Sequence, residues 1–179
     1  MKLSDGEKLI IVMLADIQKH LGFRGEVDPE LVKSAIYNNS LFGLEWEYSF
    51  LFSGEEKSEA VVTEVVDVLD MWSFLEGAYK LLGAPDKARI AAEVPYYGKE
   101  VVFPGFDGNN EGEHFGTAKF LVDDMGRWSE FKGREMNSHS ESLSGHRSML
   151  SVFMPMRKTI KMGAMSADQI IGVLNSRHP

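Results

Sequence analysis

Asp107, Asn109, Glu111 and Gly112 follow the spacing of the first half of an EF-hand calcium loop, where alternating oxygen ligands precede a glycine that permits a sharp turn. The pattern then fails. Phe115 holds the ninth place and Ala118 the twelfth, where a bidentate glutamate should complete the sphere. Asp107 to Gly112 therefore reads as a turn leading into a helix cap. Glu111-x-x-His114 has the spacing by which one helix offers a carboxylate and an imidazole to a di-iron centre, but such a centre needs a second Glu-x-x-His and further glutamates, and no second copy is present.

His139 and His146 lie seven residues apart, roughly 10 Å along a helix and too far for one metal ion. They flank Ser138, Ser140, Ser142 and Ser144, so a Ser/His nucleophile pair is conceivable there. The Gly-x-Ser-x-Gly elbow is missing, and nothing marks an acid to orient the histidine. Phosphate-loop and dinucleotide fingerprints are absent as well, so no cofactor is expected. Asp107, Glu111 and Arg127 are the polar residues best placed to be organised by the turn and the following helix end. They read as a capping or ion-pair network, or as a small ligand site.

Composition narrows the classes further. The 179 residues carry a net charge of −8, which disfavours a nucleic-acid partner, and 44% apolar content, enough for a buried core. Zero cysteines exclude disulfides, thiolate metal sites and cysteine nucleophiles, and fit a reducing cytoplasm. No apolar run reaches the ~18 residues of a membrane helix. Leu9 to Ala15 is short and flanked by Asp5, Glu7 and Asp16, so it reads as a core helix and not as a signal segment. Between Glu45 and Glu76 nine acids face one base, Lys57, which marks a solvated helix face.

The elements that must position these residues are helices. Ser4-x-x-Glu7 is a capping box, and Leu9, Ile10, Met13, Leu14, Ile17 and Leu21 form the stripe of a helix from Asp5 to Leu21 that Gly22 stops. Asp28-Pro29 opens a second helix, to about Asn38. Ser40 to Phe52 is aromatic-rich and reads as a short, buried helix. Ser53-x-x-Glu56 opens the longest periodic segment, in which Val61, Val65, Val68, Trp72, Leu75, Tyr79 and Leu82 make a heptad seam that demands a partner helix. The partner is either in the same chain or in a second copy meeting Trp72, Leu75 and Tyr79. A short helix from Asp86 to Glu93 and an irregular stretch from Tyr96 to Phe103 follow.

Pro104-Gly105 suits a type II turn, and a helix is expected from about Asn110 to Gly126. Gly112 and Gly116, four apart, suggest a close helix crossing. A rival pairs Ala118 to Val122 with Arg127 to Phe131 as a small β-hairpin. Lys132 to Ser144 reads as a mobile polar loop, the next helix starts near Ser144, and Pro155 imposes a kink or a break on it. Arg157, Lys158 and Lys161 form a basic cluster suited to the acidic helix surface, and Ser166-x-x-Gln169 caps a closing helix.

The run Gly105-Phe106-Asp107, Glu111, Gly116, Phe120, Val122, Gly126-Arg127 and Phe131 resembles the signature of the YfbU family of uncharacterised bacterial proteins. The likeness extends to the opening helix, the Trp72 region, Met149-Leu150 and the segment from Ser166 to Leu174. It implies a multihelical cytoplasmic protein that oligomerises, and no established reaction. The expectation is an all-α, multihelical single domain over residues 1–179 built on a long central helix. Its expected function is that of a non-enzymatic, homo-oligomeric interaction or regulatory protein; the alternative is an enzyme or small-ligand binder centred on Asp107, Glu111 and Arg127.

Overall fold

The computed structural model describes residues 2–52, 58–160 and 165–177, which form two compact units, Met1–Glu56 and Lys57–Pro179. The described residues are helical and turn structure with no strand, the all-α class expected from the periodicity.

In the first unit, α1 (Asp5–Leu21) begins at Ser4, whose hydroxyl accepts from Glu7 N while the Glu7 carboxylate accepts from Ser4 N at 2.7 Å. Gly22 ends it in the left-handed conformation. Asp28 caps α2 (Pro29–Tyr37), and two short helices, α3 (Phe42–Glu47) and α4 (Ser49–Phe52), complete the unit. Its core is Val32, Ala35, Ile36, Leu44 and Tyr48, with Ile11, Val12 and Leu31 packed on it. Two expectations need correction. The stripe Leu9, Ile10, Met13, Leu14, Ile17 and Leu21 is exposed, and α1 faces the core with Ile11, Val12 and Ala15 instead. The aromatic run after Ser40 is only partly buried: Leu44 and Tyr48 turn inward while Phe42, Trp46, Phe50 and Phe52 stay exposed.

The second unit is organised by α5 (Glu59–Leu81), capped by Ser58; the expected Ser53-x-x-Glu56 start lies outside the described residues. Next come α6 (Ala84–Glu93), α7 (Gly112–Lys119), α8 (Leu143–Arg157) and α9 (Ala167–Asn175), the last opened by the Ser166/Gln169 capping box. Helices α7, α8 and α9 all pack on α5. Trp72 and Leu75 are fully buried in this core, and Tyr79 packs against it from the edge. The seam therefore packs on helices of its own unit, one of the two partners its spacing leaves open.

Residues 118–131 are not a hairpin. Ala118 and Val122, four apart, are both fully buried, which is the period of a helix and not the alternation of a strand. Helix α7 widens into a π turn over Phe120–Asp124, marked by Met125 N donating to Phe120 O at 3.0 Å. Gly126 then turns at φ +66, and a 3-10 turn covers Ser129–Phe131. A side chain at Gly112 would meet nothing within 4 Å, so no close approach requires a glycine at that position. Helix α8 runs two residues past Pro155, and Arg157 pairs with Asp67 and Asp70 of α5, the acidic surface expected for it. Lys161 lies outside the described residues.

Candidate functional site

The turn Gly105 to Glu111 and the segment Met136 to Leu143 are laced together. Phe106 N donates to Met136 O at 3.0 Å, and Ser138 N donates to Phe106 O at 3.1 Å, an isolated parallel bridge. The Asn137 amide oxygen accepts from Gly108 N and His139 N, each at 3.0 Å. Gly105 makes the approach possible. Its φ is +86, and a Cβ there would sit 1.9 Å from the Met136 carbonyl oxygen. The segment read as a mobile polar loop is thus a fastened strap, with Met136 and Ser142 buried.

Glu111 is the main fastener. Its carboxylate accepts from Asp107 N at 2.8 Å, Ser142 N at 2.7 Å, Leu143 N at 2.6 Å and the Ser142 hydroxyl at 2.8 Å. It therefore holds its own turn and also the first turn of α8, where a negative charge meets unpaired amides and the positive end of the helix dipole. Burial pushes its pKa up, but the bonds from Leu143, Asp107 and Ser142 outweigh that and leave it below the usual glutamate value. Asp107 does local work, accepting from Asn109 N at 3.0 Å and the Asn110 amide at 2.6 Å. The Asn109 bond, then the Asn110 bond, hold its carboxyl below the ordinary range.

Arg127 is placed differently. It is exposed and lines a depression of about 420 Å³ with Val66, Leu121, Met125 and Trp128. Among the described residues no hydrogen bond or ion pair joins it to Asp107 or Glu111, so the structure brings two of the three residues together. A depression of about 480 Å³ in the first unit, lined by Gln18, Phe23, Asp28 and Tyr48 among others, contains none of them.

The histidines also separate. His114 donates from Nε2 to Glu64 at 2.8 Å, and Arg147 binds the same carboxylate through Nε at 2.6 Å and Nη2 at 2.9 Å. The Arg147 bonds first, and His114 with them, lower the Glu64 pKa against the opposing effect of burial. Glu111 and His114 thus serve different partners, and no group of three metal-ligating side chains converges among the described residues. His139 is exposed, with φ +53. His146 is fully buried: Trp72 Nε1 donates to its Nδ1 at 3.2 Å, and its Nε2 donates to Gly105 O at 3.0 Å. Ser142 also donates its hydroxyl to Gly105 O, at 3.0 Å. Serine and histidine therefore share an acceptor without bonding each other, which is a structural arrangement and not a nucleophile with its base. Arg177 closes over this group, stacked 4.0 Å from the Tyr97 ring centroid.

Nothing local in the sequence marks Ser142 and His146 as partners of the turn, nor the Glu64–Arg147 pair, nor the buried Glu76, whose oxygens lie 2.8 and 3.0 Å from Nη1 of the half-buried Arg134. These pairs are tens of residues apart in the chain, and no local spacing signals them.

Burial first, with the Arg177 charge reinforcing it against the Gly105 bond, pushes His146 down to about 4 from an ordinary 6.5. The unfolded chain takes up this proton near 6.5 and the folded one does not. His146 therefore stabilises fully above that pH, and the contribution is lost as pH falls from 6.5 to 4, by about 3 kcal/mol in total. Urea unfolding between pH 7 and 4 is expected to show this slope, and His146→Gln is expected to flatten it while lowering stability at pH 7. An unchanged slope in the variant would place the titration elsewhere.

A family model described as the YfbU domain matches residues 1–174. The UPF0304 protein of Methanocaldococcus jannaschii is similar at 27% identity over 179 residues, covering 97% of this chain and 99% of the relative. The turn, strap and core described above all fall inside the matched residues, and the chain belongs to the YfbU family.

Proposed function

We propose that this protein is a non-enzymatic, oligomeric interaction or regulatory protein of the cytoplasm, its two compact units acting as parts of one YfbU domain. One observation carries the reading: α1 leaves a continuous apolar stripe uncovered, while the polar atoms of Asp107, Glu111, Ser142 and His146 are engaged in holding the fold. Surfaces of the first kind bind proteins; polar groups consumed by backbone donors have little left for a substrate. The absence of cysteine suits a reducing compartment, and no helix among the described residues is long and apolar enough to cross a membrane.

The alternative, a small-ligand binder or enzyme near Asp107, Glu111 and Arg127, is favoured only by the depression beside Arg127. Thermal-shift screening against metal ions, nucleotides and metabolites separates the two. The expected result is no reproducible rise in Tm. A rise that Arg127→Ala abolishes, with the unliganded variant still folded, would establish the alternative.

A further inference from the structure

Leu9, Ile10, Met13, Leu14, Ile17 and Leu21 are each more than half exposed, from 52% at Ile17 to 67% at Leu21. At 100° per residue they occupy an arc of about 140°, facing away from Ile11, Val12 and Ala15, which serve the unit's own core. Helix α1 is thus apolar on two sides, and its own unit covers one. We propose that the other side is covered by α1 of a second copy of this chain, packed antiparallel. This rests on the reading of the protein as an oligomeric interaction protein, and names the partner and the surface.

Area, shape and charge support that occupant. The six side chains expose ~600 Å² per copy, so pairing could remove at most roughly 1,200 Å² in total, which reaches the lower end of what stable interfaces bury. A two-fold axis between Met13 and Leu14 sets Ile10 opposite Ile17 of the second copy and Met13 opposite Leu14, a self-complementary arrangement. The same axis sets Leu21 opposite Gly6, where even an added Cβ would meet nothing within 4 Å. The first turn of α1 carries Asp5 and Glu7 and the last carries Lys19 and His20. Antiparallel pairing brings unlike ends together and opposes the two helix dipoles, whereas parallel pairing would stack like charges. An anionic membrane is a poorer occupant, because Asp5, Glu7 and Asp16 border the stripe and the chain carries −8.

Sedimentation equilibrium of the full chain at micromolar concentration tests the proposal. The expected species has twice the 20.1 kDa chain mass. The double substitution Ile10→Glu with Ile17→Glu is expected to weaken association at least about 100-fold with its circular dichroism unchanged, since both side chains lie outside the unit's core. Because the chain has no cysteine, single reporters fix the direction: Ile10→Cys and Ile17→Cys chains, mixed and mildly oxidised, should join to each other and not to themselves. A wild-type monomer would overturn the proposal, whether or not it floats with anionic vesicles. So would a dimer that survives the double substitution with its helicity intact, or reporters that join only to themselves. These failures leave the interaction reading open to another partner, whereas the ligand shift described above would sink that reading whatever the oligomeric state.

Discussion

Replacing Gly105 by alanine is expected to cost at least about 4 kcal/mol and to loosen the strap across the second unit. Two effects coincide. The residue sits at φ +86, where a side chain is unfavourable in itself, and the new Cβ would lie 1.9 Å from the Met136 carbonyl oxygen, which is backbone and cannot rotate away. Relief requires the two segments to separate, and that breaks the bonds from Phe106 N to Met136 O and from Ser138 N to Phe106 O. The Gly105 carbonyl, which accepts from both Ser142 and His146, would move with them. Hydrogen exchange should report protection lost at the Phe106 and Ser138 amides together with a lower urea midpoint. Gly112→Ala is the control: a Cβ there meets nothing within 4 Å, so stability should change by less than about 1 kcal/mol. Equal damage at both positions would show that the approach at Gly105 is not what makes it intolerant.

The legible features of this chain are those whose cause lies within a few residues. Ser4 with Glu7, Asp28 with Pro29 and Ser166 with Gln169 each solve the problem of unpaired amides at a helix start with atoms three or fewer positions away, and all three helices begin there. The seam from Val61 to Leu82 announces a buried helix for the same reason. It does not say what buries it, because a heptad stripe is equally satisfied by a helix of its own chain or of another. Helix α1 shows the converse limit. Both of its sides are apolar, so periodicity identifies the helix and cannot choose which side the core takes. The candidate site was half legible. Asp107 caps its own turn as its type and position suggest, but the partners of Glu111 lie 31 and 32 residues away, and Trp72 lies 74 residues from His146. Arg127 falls with the acids in the sequence by its place near the helix end, and the π turn after Lys119 is the feature that spacing does not anticipate.

Glu111→Ala is expected to destabilise the second unit by ~3–5 kcal/mol, because it strips the acceptor from three backbone amides at once, two of them buried, while leaving the Ser142 hydroxyl its bond to Gly105 O. Glu111→Gln keeps the volume and one oxygen, but turns an amide toward groups that are themselves donors, so it should cost about 2–3 kcal/mol. Acid separates this role from mere packing. The Glu111 pKa is depressed in the fold, so its contribution is fully present above the unfolded value of about 4.3 and is lost as pH falls through the folded one. That window lies below the one assigned to His146. The wild-type protein should therefore lose stability in two stages on acidification, and Glu111→Gln should remove only the lower. If Glu111 were a catalytic or ligand-binding acid held in place by other contacts, either substitution would leave unfolding nearly unchanged, and the lower stage would persist.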